Sequence, residues 1–191
     1  RSAYSDARHG TLDGYAQDLL DILDALGLAQ VDYVGQSAGG LIRLLASLAA
    51  PARFRRLVLI GASPRFINDP PGYVGGFERA EIEGILDLME RDQIAWSEAL
   101  APMAIGEGNP DGLVAEFGTC LREIDPLVAR RFGRMVFGVD VRDRLGAVTV
   151  PALLVHCSHD SIVPPEVAHY LLAHLPGSRL CEIDGHGHYP H

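Results

Sequence analysis

Apolar positions along this chain switch between two spacings, and each switch marks an element. Leu12, Tyr15, Leu19, Ile22, Leu23 and Leu26 recur at three- and four-residue intervals and predict a helix, with Thr11 as its N-cap and Gly27 just past its end. Val31, Tyr33 and Val34 are strand formers; after them Leu41, Leu44, Leu45 and Leu48 return to helical spacing, stopped by Pro51. Residues 57–62 (LVLIGA) form a nearly unbroken apolar run, as in a parallel strand buried on both faces. Strand, helix and strand of these lengths make a βαβ unit with a right-handed crossover.

From Ser63 to about Asp140 the pattern changes. Pro64, Phe66, Pro70, Pro71 and Tyr73 come first, followed by four helical segments with no strand between them. The first carries Ile82, Ile85, Leu86 and Met89, and the second surrounds Trp96 and Leu100. The third opens on Asn109 as cap and Pro110 as first helical residue, and the fourth on Asp125 and Pro126. The strand–helix alternation then resumes with a strand at 152–156, a helix opened by Pro164 and Pro165, and a last strand at 179–183. The expected architecture is α/β: a partial parallel sheet with a four-helix cap inserted between two of its strands. Residues 1–63 and 141–191 form the core α/β parts, and residues 64–140 the cap.

The chemistry concentrates at the first strand–helix junction. Gly35-Gln36-Ser37-Ala38-Gly39 reads G-x-S-x-G, the nucleophile elbow of the α/β-hydrolase fold. Ser37 is expected in a strained conformation at the turn, with Gly35 and Gly39 allowing strand and helix to approach closely. A serine hydroxyl needs an imidazole to take its proton, and the imidazole needs a carboxylate to orient it. In this fold the chain order is Ser, acid, His. Asp160 follows the strand after the cap, and the residues 185–191 (GHGHYPH) follow the last strand, so both belong at the sheet's carboxyl edge beside Ser37. The Ala38 amide is the expected oxyanion donor.

Composition narrows the function classes. The 191-residue chain has a net charge of -9, which repels phosphates and argues against nucleic acid and anionic membranes as partners. No apolar run is long enough to span a bilayer, and the first ten residues lack a signal-peptide core. Cys120, Cys157 and Cys181 show no C-x-x-C spacing, so a reducing, cytoplasmic setting is expected. A chain that starts at Arg1 and stops at His191, directly after a motif, is expected to be part of something longer.

The residues 185–191 admit two histidines as the base and a metal site as an alternative. His186, His188 and His191 spell H-x-H-x-x-H, which could converge on zinc. No cofactor is otherwise called for, and no metal is the preferred reading. His9, His169 and His174 read as surface or helix-face residues, and His156, Cys157 and Cys181 as core.

Over nearly its whole length the chain resembles the α/β-hydrolases related to the bacterial stress regulator RsbQ and the plant strigolactone and karrikin receptors. The resemblance runs through LDGYAQDLLDI, VGQSAGG, PPGYVGGFERAEIEGILDLM, WSEALAP, DPLVARRF, VPALLVHCSHDSIVPPEV and GHYPH. It implies Ser37 as nucleophile, Asp160 as orienting acid and the His of G-H-x-P-H as base; only His188 is followed by x-P-H, so His188 is expected over His186. It departs at Gln36, where the family usually has His, and at Gly39, commonly not glycine. Family members carry further strands before the position of Arg1, including a loop that donates the second oxyanion N–H, and a final helix beyond His191. The resemblance implies hydrolysis of a small apolar ester or lactone. Phe66, Trp96, Phe117, Phe132 and Phe137 are the aromatic candidates for the pocket wall, with ordinary cap core as the equal alternative for each. Its second implication is a signalling receptor that binds or slowly cleaves a small ligand and engages a PAS-containing sensor through its cap.

Overall fold

The computed structural model describes residues 4–191. Four strands, β1 (Val31–Gln36), β2 (Phe54–Ile60), β3 (Ala152–His159) and β4 (Ser178–His186), pair in that order, and every pairing is parallel. Two helices, α1 (Asp6–His9) and α2 (Leu12–Ala25), precede the sheet, and α3 (Ala38–Ala49) links β1 to β2. Between β2 and β3 lie α4 (Arg79–Arg91), α5 (Gln93–Ile105), α6 (Asp111–Arg122) and α7 (Pro126–Phe137); α8 (Pro165–His174) links β3 to β4. This is a parallel sheet with a helical cap inserted between two strands, as the spacing pattern predicts. Among the described residues no helix is long and apolar enough to cross a membrane.

Helix α3 packs on β1 and β2, with α2 over it, while α8 packs on β3 and β4. Leu41, Leu44 and Leu45 are each 1% exposed against Leu57 and Leu59 of β2. Burying each such leucine contributes about 1.5–3 kcal/mol, which is what fixes the helix that follows Ser37 onto the sheet. Thr11 caps α2 by accepting from the Gly14 amide, and Gly27, at φ 65°, turns the chain out of it. The buried face of α2 is Leu12, Ala16, Leu19, Leu20 and Leu23. Ile22 and Leu26, placed on that stripe by spacing, are 54% and 66% exposed, because Ala16 and Leu20 complete the arc instead and Leu26 lies beyond the helix as its C-cap.

Asp125 caps α7 through the Leu127 and Val128 amides, as expected. At α6 the expected cap is displaced by one residue: the helix starts at Asp111, and the Asn109 amide turns back to the Ile105 and His186 carbonyls. The helical segment opens and closes side by side. Arg65 and Asp140 form an antiparallel bridge, with an Arg65–Asp140 ion pair at 2.5 Å and Arg142 joining Asp140 at 2.8 Å and Asp69 at 2.7 Å. Two single-residue expectations change: His9 is buried and bonded to Asp18 at 2.8 Å, and Cys181 is exposed on the edge strand β4.

Candidate active site

Ser37 sits where β1 becomes α3, at φ 51° and ψ -126°; among the described residues it alone combines a side chain with a positive φ. Its amide donates to the Ile60 carbonyl at 2.8 Å, and its carbonyl accepts from Gly40 at 2.8 Å, so the turn is held by the next strand and by the helix it starts. A Cβ on Gly35 would lie 2.7 Å from the Gly39 carbonyl oxygen, and one on Gly40 would lie 2.9 Å from the Ala62 Cβ. Gly39, expected to share this role, meets only the guanidinium end of Arg43. The close approach therefore belongs to Gly35 and Gly40. Ala38 is the first residue of α3, so its N–H has no acceptor within the helix and lies at the positive end of the helix dipole.

Asp160 and His188 come from the ends of β3 and β4. Asp160 is 8% and His188 3% exposed, and His188 Nδ1 lies 2.7 Å from Asp160 Oδ2. The other carboxylate oxygen accepts from the Ile162 and Val163 amides at 2.9 and 3.0 Å, which fixes the plane of the carboxylate. With Nδ1 committed, Nε2 is the imidazole's free position; it is buried and has no hydrogen-bond partner. The loop is held beside the elbow, because Gln36 Nε2, from the residue before Ser37, donates to the His188 carbonyl at 3.1 Å. Gly61, directly after the Ile60 carbonyl that holds Ser37, lies under the imidazole at φ 53°; a Cβ there would be 3.0 Å from His188 Cε1 and 3.4 Å from Asp160 Oδ2.

The two histidine candidates separate. His186 ends β4, is exposed, and stacks on His159 with ring centroids 4.5 Å apart and planes 8° from parallel. His188 is the one that meets Asp160. Among the described residues no group of three or more His, Cys, Asp or Glu side chains is arranged to hold a metal ion. A further imidazole, His156 on β3, is 3% exposed with Nε2 unpartnered; burial holds its pKa below the ordinary histidine value, against the opposing pull of Asp160.

Ser37 opens into a cavity of about 390 Å³ between the sheet edge and the cap. Gln36, Ser37, Ala38 and Gly39 line one side, and Trp96, Phe117, Phe132 and Phe137 stand on the cap side. Phe66 does not line it: at 2% exposure it belongs to the main core, edge-on to Phe137 at 5.3 Å. Its place early in the cap segment, packed with Phe77 and Phe137, makes it a support behind the wall. Tyr189 was not singled out by pattern, yet it lines the cavity with its ring 4.9 Å from Phe117. Its position inside the histidine motif was the available signal. Burial, and next the charge of Asp160, raise its phenol pKa.

A model of the alpha/beta hydrolase family matches residues 2–191. The strigolactone esterase RMS3 of Pisum sativum is 42% identical over 185 residues, covering 96% of this chain and 69% of that protein. Karrikin insensitive 2 receptor B of Petunia hybrida is 38% identical over 176 residues, covering 92% of this chain and 64% of its own length. Among solved structures, a hydrolase from Oleispira antarctica superposes with a TM-score of 0.95 at 36% identity, over 97% of this chain and 68% of that one. The chain thus spans about two thirds of the length of these relatives. With its parallel sheet, inserted cap and these relatives, the chain belongs to the α/β-hydrolase family.

Proposed function

We propose that Ser37, His188 and Asp160 are nucleophile, base and orienting acid in the hydrolysis of a small apolar ester or lactone. The observation that carries the reading is the His188 imidazole, fixed at Nδ1 by a buried carboxylate with Nε2 left free, on a loop bonded to the residue before Ser37. In this mechanism Ser37 Oγ attacks the carbonyl carbon while Nε2 takes its proton. The carbonyl π electrons move to oxygen, where the Ala38 N–H donates to the oxyanion. Collapse expels the alkoxide, which His188 protonates, and water, deprotonated by the same imidazole, releases the acid from the acyl-serine. Asp160 keeps the proton on Nδ1 and stabilises the imidazolium. The aromatic cap wall accounts for an apolar substrate, since the rings of Phe117, Phe132 and Phe137 desolvate one through carbon surface alone.

Residues 64–140 act in this reading as a lid over a core made of residues 1–63, of which 1–3 lie outside the described residues, and 141–191. A second reading, favoured by the cavity's placement under four cap helices and by the relatives named as receptors, is a receptor that cleaves its ligand slowly and presents the cap to a protein such as a PAS-containing sensor. The three free cysteines suit a reducing, cytoplasmic setting for either. Pre-steady-state kinetics with p-nitrophenyl acetate separates them: a burst followed by steady turnover supports the enzyme, and a single slow turnover supports the receptor. Release of p-nitrophenol undiminished in Ser37→Ala would end both.

A further inference from the structure

The last turn of α5 lies against the two loops that carry Asp160 and His188. A helix leaves its final carbonyls without intrahelical donors. The Gly106 amide takes the Pro102 carbonyl at 2.9 Å, and those of Met103, Ala104 and Ile105 remain. All three are taken up by the site or by a residue bonded to it. Ser161 Oγ, next to Asp160, donates to Met103 O at 2.7 Å, and the His188 amide donates to Ala104 O at 2.7 Å. Asn109 Nδ2 donates to Ile105 O at 2.8 Å and reaches on to His186 O at 3.2 Å.

The contact is backbone on backbone. A Cβ on Gly106 would lie 2.5 Å from the Gly187 amide nitrogen, and one on Gly187 would overlap the Ile105 carbonyl. Both glycines have positive φ, 81° and 90°, so the loop and the helix end are shaped to each other. Earlier on the same helix, Trp96 and Leu100 form part of the cavity wall. One cap helix thus touches the ligand space at its middle and the acid and base loops at its end.

We propose that the C-terminal turn of α5 sets the position of Asp160 and His188, with Ser161 and Asn109 as positioning residues, so that turnover depends on how the cap is seated. The inference rests on the reading of Ser37, His188 and Asp160 given above. Two physical effects support it. The carbonyls hold the base loop where the imidazole reaches Asp160, and the negative end of the helix dipole favours the imidazolium that forms when His188 takes a proton. Neither Ser161 nor Asn109 lines the cavity, and their side chains are spent on the helix-end carbonyls.

The test uses the whole chain and the variants Ser161→Ala, Ser161→Thr, Asn109→Ala and the double Ser161→Ala/Asn109→Ala. For p-nitrophenyl acetate, kcat falls about fivefold in each single alanine variant and about twentyfold in the double one, the scale of lost hydrogen bonds. KM stays within twofold, and threonine at 161 restores kcat. Hydrogen exchange at the His188 amide, read in the same proteins, quickens about fivefold in the double variant. A double variant with kcat within twofold of the parent, or with unchanged His188 exchange, overturns the proposal. The exchange measurement does so whether or not the ester is hydrolysed; a parent that never releases p-nitrophenol, with Ser37 unlabelled, strikes instead at the reading of the site.

Discussion

Gly61→Ala tests the placement of the proposed base, His188, without altering any of the three groups proposed to react. Gly61 has φ 53°, and an alanine Cβ would stand 3.0 Å from His188 Cε1, 3.1 Å from Nδ1 and 3.4 Å from Asp160 Oδ2. The left-handed backbone alone costs an L-residue about 1–2 kcal/mol, which for a chain of this size lowers the thermal midpoint by about 2–8 °C. The contact adds a second effect, because something must yield by a few tenths of an ångström. The imidazole is the softer side: Asp160 is locked by two amides, and Gly61 by its own amide bond to Val155. If a misplacement of 1 Å costs about 10² in rate, a few tenths costs about three- to tenfold in kcat. Gly177→Ala is the control. It has φ 70° with nothing within 4 Å of the added Cβ, so it carries the backbone strain without the contact. Steady-state hydrolysis of p-nitrophenyl acetate and thermal melts on both variants complete the assay. Similar melting losses with a lowered kcat in Gly61→Ala alone are expected; equal kcat in the two variants would refute the idea that the seat of His188 governs the rate.

Asp140→Asn should weaken the join between the two ends of the cap segment. The guanidinium of Arg142 first, and then Arg65, hold the Asp140 carboxylate down to about 2 from 3.8. With 35% of the side chain still exposed, solvent screening reduces the stabilisation to about 1 kcal/mol. A carboxylate with a depressed folded pKa contributes stability above its unfolded value and loses it as pH falls through the folded one. Urea titrations should therefore show the parent more stable than the variant at pH 7, with the gap closing between pH 4 and 2; a gap that persists at pH 2 contradicts the assignment. His156→Phe should flatten the acid sensitivity of the fold. The unfolded chain binds a proton near the ordinary histidine value while buried His156 resists it, so the parent loses stability as pH falls below 6.5, by at most about 2 kcal/mol at pH 5. Parallel stability–pH curves for parent and variant from pH 7 to 5 would contradict this.

The fold was legible in the chain wherever a single period governed several residues in a row. The helical return at Leu41, Leu44, Leu45 and Leu48 and the apolar run of β2 were readable because burial requires those spacings. Strand ends were harder: β3 and β4 continue to His159 and His186 through Ser158, Asp184 and Gly185, which carry no apolar strand pattern and are not buried. The positions of Ser37, Asp160 and His188 followed from chain order, because a parallel sheet delivers every strand's carboxyl end to one edge. What pattern could not supply was contact made between distant backbones. Gly61 under His188, Gly40 against Ala62, and Gly106 against Gly187 are close approaches whose partners lie on other elements, and glycine in sequence does not name its partner. Phe66 and Tyr189 changed places for the same reason: aromatic type is visible in the chain, but which face of the cap closes on the cavity is decided by packing.

The proposal that three residues from three separate parts of the chain act as one hydrolytic unit is measured most directly by fluorophosphonate labelling read by peptide mass spectrometry. The parent should carry a single adduct on the peptide containing Ser37, lose it in Ser37→Ala, and form it at least about 10³-fold more slowly in His188→Ala. An adduct on any other residue, or labelling of Ser37 at the parent rate without His188, would contradict the account.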